Sequence, residues 1–335
     1  IGITGQVGFI GTHLFNYLSL RKTKVELIPF RDDFFQDQNI LEAFVGKCDA
    51  IVHLAALNRH NDPQTIYDTN IELVNKLITA LETTGVKPHV LFSSSTQEER
   101  DNIFGKSKRE GRRLLSEWAD RSGGIFTGMV IPNVFGPFGN PHYNSVVATF
   151  SHQLTHDEEP GIEIDAQLKL IYIGDLVKTI WYLIENKIAD NEFRITPTAE
   201  ARVTEILALL QSFRTQYFEK GIIPDLTDPF ERNLFNTFVC YIDHESYFPF
   251  KLKMNSDERG SFVETVKLGS GGQVSFSITR PGVTRGNHFH TRKAERFAVI
   301  KGKALIQLRR VGTDKVISFE LDGDEPSYVD MPVWH

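Results

Sequence analysis

The sequence predicts two folded regions in series: a doubly wound α/β domain on a parallel sheet over residues 1–246, then an all-β domain over residues 252–335. Three observations predict it. The chain opens as strand, glycine-rich turn and amphipathic helix. Buried apolar runs ending in small or polar residues then alternate with helical periodicity, and after residue 251 short alternating runs appear, broken by Gly, Pro and Asp. At 335 residues and 41% hydrophobic side chains, the chain has material for two cores.

Ile1-Gly2-Ile3-Thr4 reads as the end of a strand. Gly5-Gln6-Val7-Gly8-Phe9-Ile10-Gly11 follows, then a helix carrying Leu14, Phe15 and Leu18. Such a turn needs glycine where the backbone bends tightly and where it approaches a pyrophosphate. The helix N-terminus supplies free N–H groups and the positive end of its dipole, as in a Rossmann dinucleotide site. The second strand, Lys24 to Phe30, should end beside the adenine ribose. Arg31 comes next, and its guanidinium suits a 2′-phosphate, which favours NADP over NAD. Asp32 and Asp33 leave open a solvated loop arginine. Residues 50–56 read as a buried strand ending in Leu54, Ala55 and Ala56, small enough at its tip for a ligand to lie against the backbone. Asn70 is expected to open the next helix, which continues through Leu73, Leu77 and Leu81. Val90 to Ser95 forms a further strand with a serine tip at the same sheet edge. Phe104-Gly105-Lys106-Ser107-Lys108 begins a basic helix, with residues 104 and 108 on one face.

The glycine turn, residues 49–56, Ser95, Lys108, Pro132-Asn133-Val134-Phe135-Gly136-Pro137 and residues 171–177 together resemble an extended short-chain dehydrogenase/reductase over roughly the first 240 residues. The resemblance implies a cofactor site formed by Gly5, Gln6, Gly8, Phe9, Ile10, Gly11, Arg31, Leu54, Ala55, Ala56, Ser93, Lys108, Pro132 and Val134. It implies that Ser95 and Asn133 face the substrate. In that family a serine, a tyrosine and a lysine do the chemistry: tyrosine protonates the carbonyl oxygen, lysine lowers the tyrosine pKa and holds the cofactor ribose, and serine hydrogen-bonds the oxygen. Ser95 and Lys108 fit two of these roles, but Phe104 stands at the third, and a phenyl ring donates no proton. Three accounts stay open: an introduced Tyr-to-Phe change, a natural loss of reduction on a retained fold, or replacement of the donor by Ser95 or Tyr143.

Between Asn140 and Pro160 the chain is polar, and His142, His152 and His156 are expected on solvated faces, their spacings of ten and four lacking a metal pattern. Residues 203–219 read as an amphipathic helix with Ile206, Leu207, Leu210 and Phe213 on one stripe, and the domain junction is placed near residues 245–251.

Runs at Val274–Thr279, Phe297–Ile300, Ala304–Leu308 and Val316–Leu321 argue for an antiparallel jelly roll. Within it, Gly282, His288-Phe289-His290, Glu295 and Gly302 match the spacing of the first cupin motif. On a strand, residues 288 and 290 share a face, while Phe289 points away. Two imidazoles and one carboxylate suit zinc or another divalent transition metal. A second motif would pass through Pro332, so the fourth ligand and the closing strands are expected beyond His335. His335 itself would serve only in a shifted register.

The order of the two regions, with residues 257–262 and 286–288, resembles the CapF-type bifunctional nucleotide-sugar enzymes of capsule and O-antigen synthesis along essentially the whole chain. That resemblance implies C3 epimerisation of a UDP-4-keto-6-deoxy-HexNAc in the cupin and C4 reduction with NADPH, on the route to UDP-N-acetyl-L-fucosamine. It also implies a homodimer. The sequence names no base for the epimerisation. Two other readings remain: an epimerase or dehydratase with tightly held NAD(P), and a non-catalytic NADP-binding scaffold. A formal charge of −6 without a dense basic cluster argues against nucleic acid, and no apolar run approaches a membrane span. With only Cys48 and Cys240 and no visible signal peptide, a reduced, cytoplasmic protein is expected.

Overall fold

The computed structural model describes residues 1–21, 23–247, 254–268, 272–290, 295–309, 313–331 and 335. The chain divides into two units: Ile1–Lys251 with Val266–Gln273, and Leu252–Thr265 with Val274–His335. The junction expected near 245–251 falls partly outside the described residues, as does Pro332.

In the first unit the elements run β1 (Gly2–Thr4), α1 (Phe9–Ser19), α2 (Gln38–Val45), β2 (Ala50–His53), α3 (Pro63–Thr84), β3 (His89–Ser95), α4 (Ile103–Ser122), β4 (Phe126–Ile131), β5 (Asn133–Phe135), α5 (Val146–Thr155), β6 (Gln167–Tyr172), α6 (Ile173–Glu185), β7 (Asp190–Arg194), β8 (Ala199–Arg202), α7 (Val203–Phe213), β9 (Ile222–Ile223), α8 (Pro229–Phe238) and α9 (His244–Tyr247). The main sheet has the order β1-β2-β3-β4-β7, all parallel. Its strands read as unbroken apolar runs because both faces are covered. Ile51, Val90 and Phe92 point into one core with Val74, Leu77, Leu81, Leu115 and Trp118 of α3 and α4. Val52, Leu91 and Met129 point the other way, against Leu14 and Leu18 of α1 and Leu176, Ile180 and Leu183 of α6. Adjacent residues therefore feed opposite cores, and the sheet is doubly wound as the sequence predicts. A smaller sheet, β5-β6-β8, lies over a third core of Phe150, Leu154, Ile206, Leu210, Leu234 and Phe238.

Three local expectations are corrected. The strand expected at Lys24–Phe30 shrinks to one bridge, Ile28 beside Gly2, since β1 offers a partner only three residues long. Asn70 does not open its helix. Asp62 accepts from Gln64 N–H, Pro63 has the fixed φ suited to the first turn, and α3 starts there, leaving Asn70 buried at mid-helix. The helix predicted over 203–219 stops at Phe213 and continues as a π-helical turn, Arg214–Phe218.

The second unit is β-rich: β10 (Met254–Asp257), β11 (Gly260–Leu268), β12 (Gln273–Thr279), β13 (Glu295–Val299), β14 (Lys303–Arg309), β15 (Val316–Asp322) and β16 (Ser327–Met331). Antiparallel ladders join β10 to β11, β13 to β16 and β14 to β15. All four predicted runs lie on strands, Ile300 falling just past β13. The histidine pair differs: residues 288 and 290 stand in a segment outside any strand, following Gly286 and Asn287, both at positive φ.

Candidate active site

The predicted cofactor residues converge on the carboxyl edge of the main sheet, where β1, β2, β3 and β4 all end. Gly5 has φ +67°, and a side-chain carbon there would lie 2.8 Å from Ala55 N and 2.9 Å from its Cα. The glycine turn is thus pressed against the Leu54–Ala56 tip. At Gly11 the same carbon would fall 2.2 Å from Gly5 O, so only glycine lets α1 close on its own turn. Gly8 sits at the N-cap of α1 with no side chain capping it. The first-turn N–H groups are therefore left for an anion, in the form that a dinucleotide pyrophosphate fits. Gln6, Phe9 and Ile10 are half-buried around this cradle.

Behind the cradle Thr4 Oγ1 lies 2.7 Å from His53 Nδ1 and accepts from Ala55 N–H at 3.3 Å. His53 is fully buried, and burial lowers its imidazole to about 3, so it is held neutral. Buried Ser93 donates to His53 O at 3.2 Å. Pro132 is buried, Val134 half-buried, and Asn133 is exposed, its amide donating to Lys169 O at 3.2 Å. Arg31 is exposed and paired with Asp33, its Nε donating to Oδ1 at 3.1 Å. A 2′-phosphate would have to compete with that carboxylate.

Ser95 ends β3, and its Oγ accepts from Gln97 N–H at 3.2 Å. Asn102 caps α4 by accepting from Gly105 N–H at 2.7 Å, which fixes the helix start just before Phe104. Lys108 is 4% exposed; its Nζ lies 4.9 Å from the Phe92 ring centre and 5.6 Å from that of Phe104. Lys108 and Phe104 therefore share one face, as their spacing predicts. Burial brings the Lys108 ammonium down to about 8, opposed by the attraction of the Glu98 carboxylate. Tyr143, the alternative donor, is exposed beside Arg59, 5.9 Å from the guanidinium to its ring centre.

Two supports of this edge escaped the sequence reading. Glu98, in the turn after Ser95, accepts from Arg112 Nη2 at 2.7 Å and Nε at 3.0 Å, and from Ser94 Oγ. Arg112 also donates to Asn191 O of β7 at 2.9 Å, its stem lying where a side chain on Gly128 would otherwise stand. Asn70 accepts from Leu57 N–H at 2.7 Å and donates to Ser107 Oγ at 3.0 Å, tying the β2 tip to α4. Partners 14 and 37 residues apart leave no local signal.

In the second unit His288, His290 and Glu295 do come together. His290 Nε2 is 3.1 Å from Glu295 Oε1, His288 Nε2 is 3.8 Å from Oε2, and the two imidazole Nε2 atoms are 3.2 Å apart. All the ligand atoms lie within 4.8 Å, a donor set that fits a divalent transition metal. Phe289 between them is 48% exposed. His335 is not part of this cluster.

Cradle and fold define a Rossmann-like α/β protein that carries a β-rich second unit. Residues 1–195 match the NAD dependent epimerase/dehydratase family and residues 255–335 the Polysaccharide biosynthesis C-terminal domain. The chain belongs to the NAD dependent epimerase/dehydratase family, and within it to the CapF type, in which these two regions are joined. It is 33% identical to the UDP-2-acetamido-2,6-beta-L-arabino-hexul-4-ose reductase of Pseudomonas aeruginosa, over 99% of this chain and 89% of that protein. The capsular polysaccharide assembling protein CapF from Staphylococcus aureus is similar at 33% identity and a TM-score of 0.84, over 99% of this chain and 90% of that one. UDP-glucose 4-epimerase from Thermotoga maritima, 20% identical with a TM-score of 0.61 over 72% of this chain and 97% of its own, shares the fold. Among the described residues, no helix is long and apolar enough to cross a membrane.

Proposed function

We propose that this chain is a bifunctional nucleotide-sugar enzyme in polysaccharide biosynthesis. Its second unit epimerises C3 of a UDP-linked 4-keto-6-deoxy amino sugar and its first reduces C4, giving UDP-2-acetamido-2,6-dideoxy-L-talose on the route to UDP-N-acetyl-L-fucosamine. One observation carries the reading: a single chain holds both an uncapped glycine cradle and a His288/His290/Glu295 cluster within 4.8 Å. Relatives named as a 4-ulose reductase and as CapF support it along the whole length.

The cofactor, NADPH in this reading, would supply hydride to C4. Gly5, Gly8 and Gly11 bring backbone close to its pyrophosphate, the Leu54–Ala56 tip leaves room beside the turn, and Lys108 holds its ribose. Ser95 Oγ orients the substrate carbonyl. O4 also needs a proton, and the Phe104 ring has none to give. Reduction is therefore the impaired step. In the second unit a zinc-like ion would supply Lewis acidity toward the 4-keto oxygen, which acidifies the adjacent C3–H. His288, His290 and Glu295 would hold that ion. The protein is placed in the cytoplasm, where nucleotide sugars and NADPH are available, and as a homodimer.

The test gives the chain and its Phe104→Tyr variant NADPH and the UDP-4-keto-6-deoxy-HexNAc in deuterated water. The expected result is C3 deuterium incorporation by both and NADPH oxidation only by the tyrosine variant. Exchange lost in a His288→Ala/His290→Ala variant, with NADPH binding kept, would assign epimerisation to the cluster of the second unit. Neither exchange nor oxidation by either protein would overturn the substrate assignment and favour an NADP-binding scaffold.

A further inference from the structure

We propose that His142, His152 and Glu158 of the first unit form a second binding site for a divalent transition-metal ion, with zinc the reference case. One ligand atom from each lies within 4.8 Å of the others. His142 Nε2 is 3.8 Å from Glu158 Oε2, and His152 Nε2 is 3.9 Å from Glu158 Oε1. Ligands at the usual distances of a tetrahedral zinc are about 3.3 Å apart, so closing the separations by at most about 1.5 Å would form the site. Two imidazoles and one carboxylate make a borderline-soft donor set, which selects zinc, nickel or copper over magnesium or calcium and leaves a position for water or an anionic ligand.

The backbone presents these side chains in a fixed way. His142 is held at φ +56°, a conformation that a non-glycine residue rarely adopts. Its N–H donates to Thr149 Oγ1 at 3.0 Å, and its carbonyl accepts from Arg59 Nη1 at 3.1 Å. Asp157, at φ +58°, turns the chain so that Glu158 N–H donates to Gln153 O at 2.9 Å, and Arg214 holds the Asp157 carboxylate at 2.7 Å. His152 stands on α5, its ring stacked on that of His156 with centres 4.0 Å apart. The three ligands thus come from the loop before α5, from α5 and from the turn after it. A bound ion would fasten that loop, which is already tied to α1 through a 2.9 Å hydrogen bond between His13 Nε2 and Pro137 O.

The experiment measures zinc binding by calorimetry to the full, EDTA-stripped chain and to its His288→Ala/His290→Ala variant, which lacks the cluster of the second unit. The double variant should still bind one zinc per chain. Adding His152→Ala or Glu158→Gln should weaken that binding at least about tenfold, while adding His60→Ala should leave it unchanged. Circular dichroism identifies any variant that has not folded, and exposed Glu158 supplies the milder change should His152→Ala fail. Absence of zinc binding by the double variant would overturn the proposal, as would binding indifferent to both substitutions.

Discussion

Lys108→Met, tested without cofactor, should make the first unit more stable at pH 7. Lys108 is 4% exposed, and among the described residues its Nζ has neither a hydrogen bond nor an ion pair. Its fall from 10.5 to about 8 means that folding is penalised for burying a charge. At about 1.4 kcal/mol per pH unit, the penalty at pH 7 is about 3 kcal/mol. Two cation–π contacts, at 4.9 and 5.6 Å, are lost in the variant and return about 1 kcal/mol. Glu98 keeps its Arg112 partner, so no carboxylate is stranded. The expected net gain is about 1–3 kcal/mol, or about 2–6 °C in Tm. Between about 8 and 10.5 the unfolded chain holds the proton that the native state has released, so parent stability rises with pH there and the advantage narrows toward pH 9.5. Urea titrations at pH 7 and 9.5 measure both effects. A less stable variant, or an advantage indifferent to pH, would refute the reasoning.

Gly11→Ala should weaken NADPH binding at least about 100-fold in a fluorescence titration, because its new carbon meets Gly5 O, whereas Gly161→Ala, with open space around it, should bind normally. Glu98→Gln breaks a pair whose side chains are 6% and 16% exposed and should cost about 2–4 kcal/mol in urea unfolding; a loss under about 1 kcal/mol would mean that the pair is better solvated. Thr4→Val removes the hydrogen bond to His53 and should cost about 1–3 kcal/mol. Since His53 falls from 6.5 to about 3, its neutral form supports the fold fully above pH 6.5, and parent stability measured by urea midpoint should decline as pH drops from there toward 3.

What was legible in the sequence was short-range. The glycine turn, the apolar strand ending in Ser95 and the Phe104–Lys108 spacing each need only a few neighbouring residues to be recognised, and each reappears at the sheet edge, whereas the strand read through Ala56 ends at His53. The failures needed tertiary information. Ile28 had a strand's composition but met only Gly2. Asn70 had the chemistry of a helix cap and was instead used, buried, to hold Leu57 and Ser107. Residues 288 and 290 reached Glu295 without the strand that was to align them. His142, His152 and Glu158 gave no metal spacing because the loop before α5 and the turn after it fold back to bring them together.

The missing side chain of Gly128 has a mechanical consequence. Arg112 occupies that gap and reaches from the Glu98 carboxylate to the backbone of Asn191, so it works as a strut between the floor beneath Ser95 and the last strand of the sheet. Arg112 thereby ties the β7 margin to the turn that follows the serine. A single methyl group at position 128 would meet the Asn191 carbonyl at 2.4 Å and the Arg112 stem at 2.6 Å, and so would dislodge the strut.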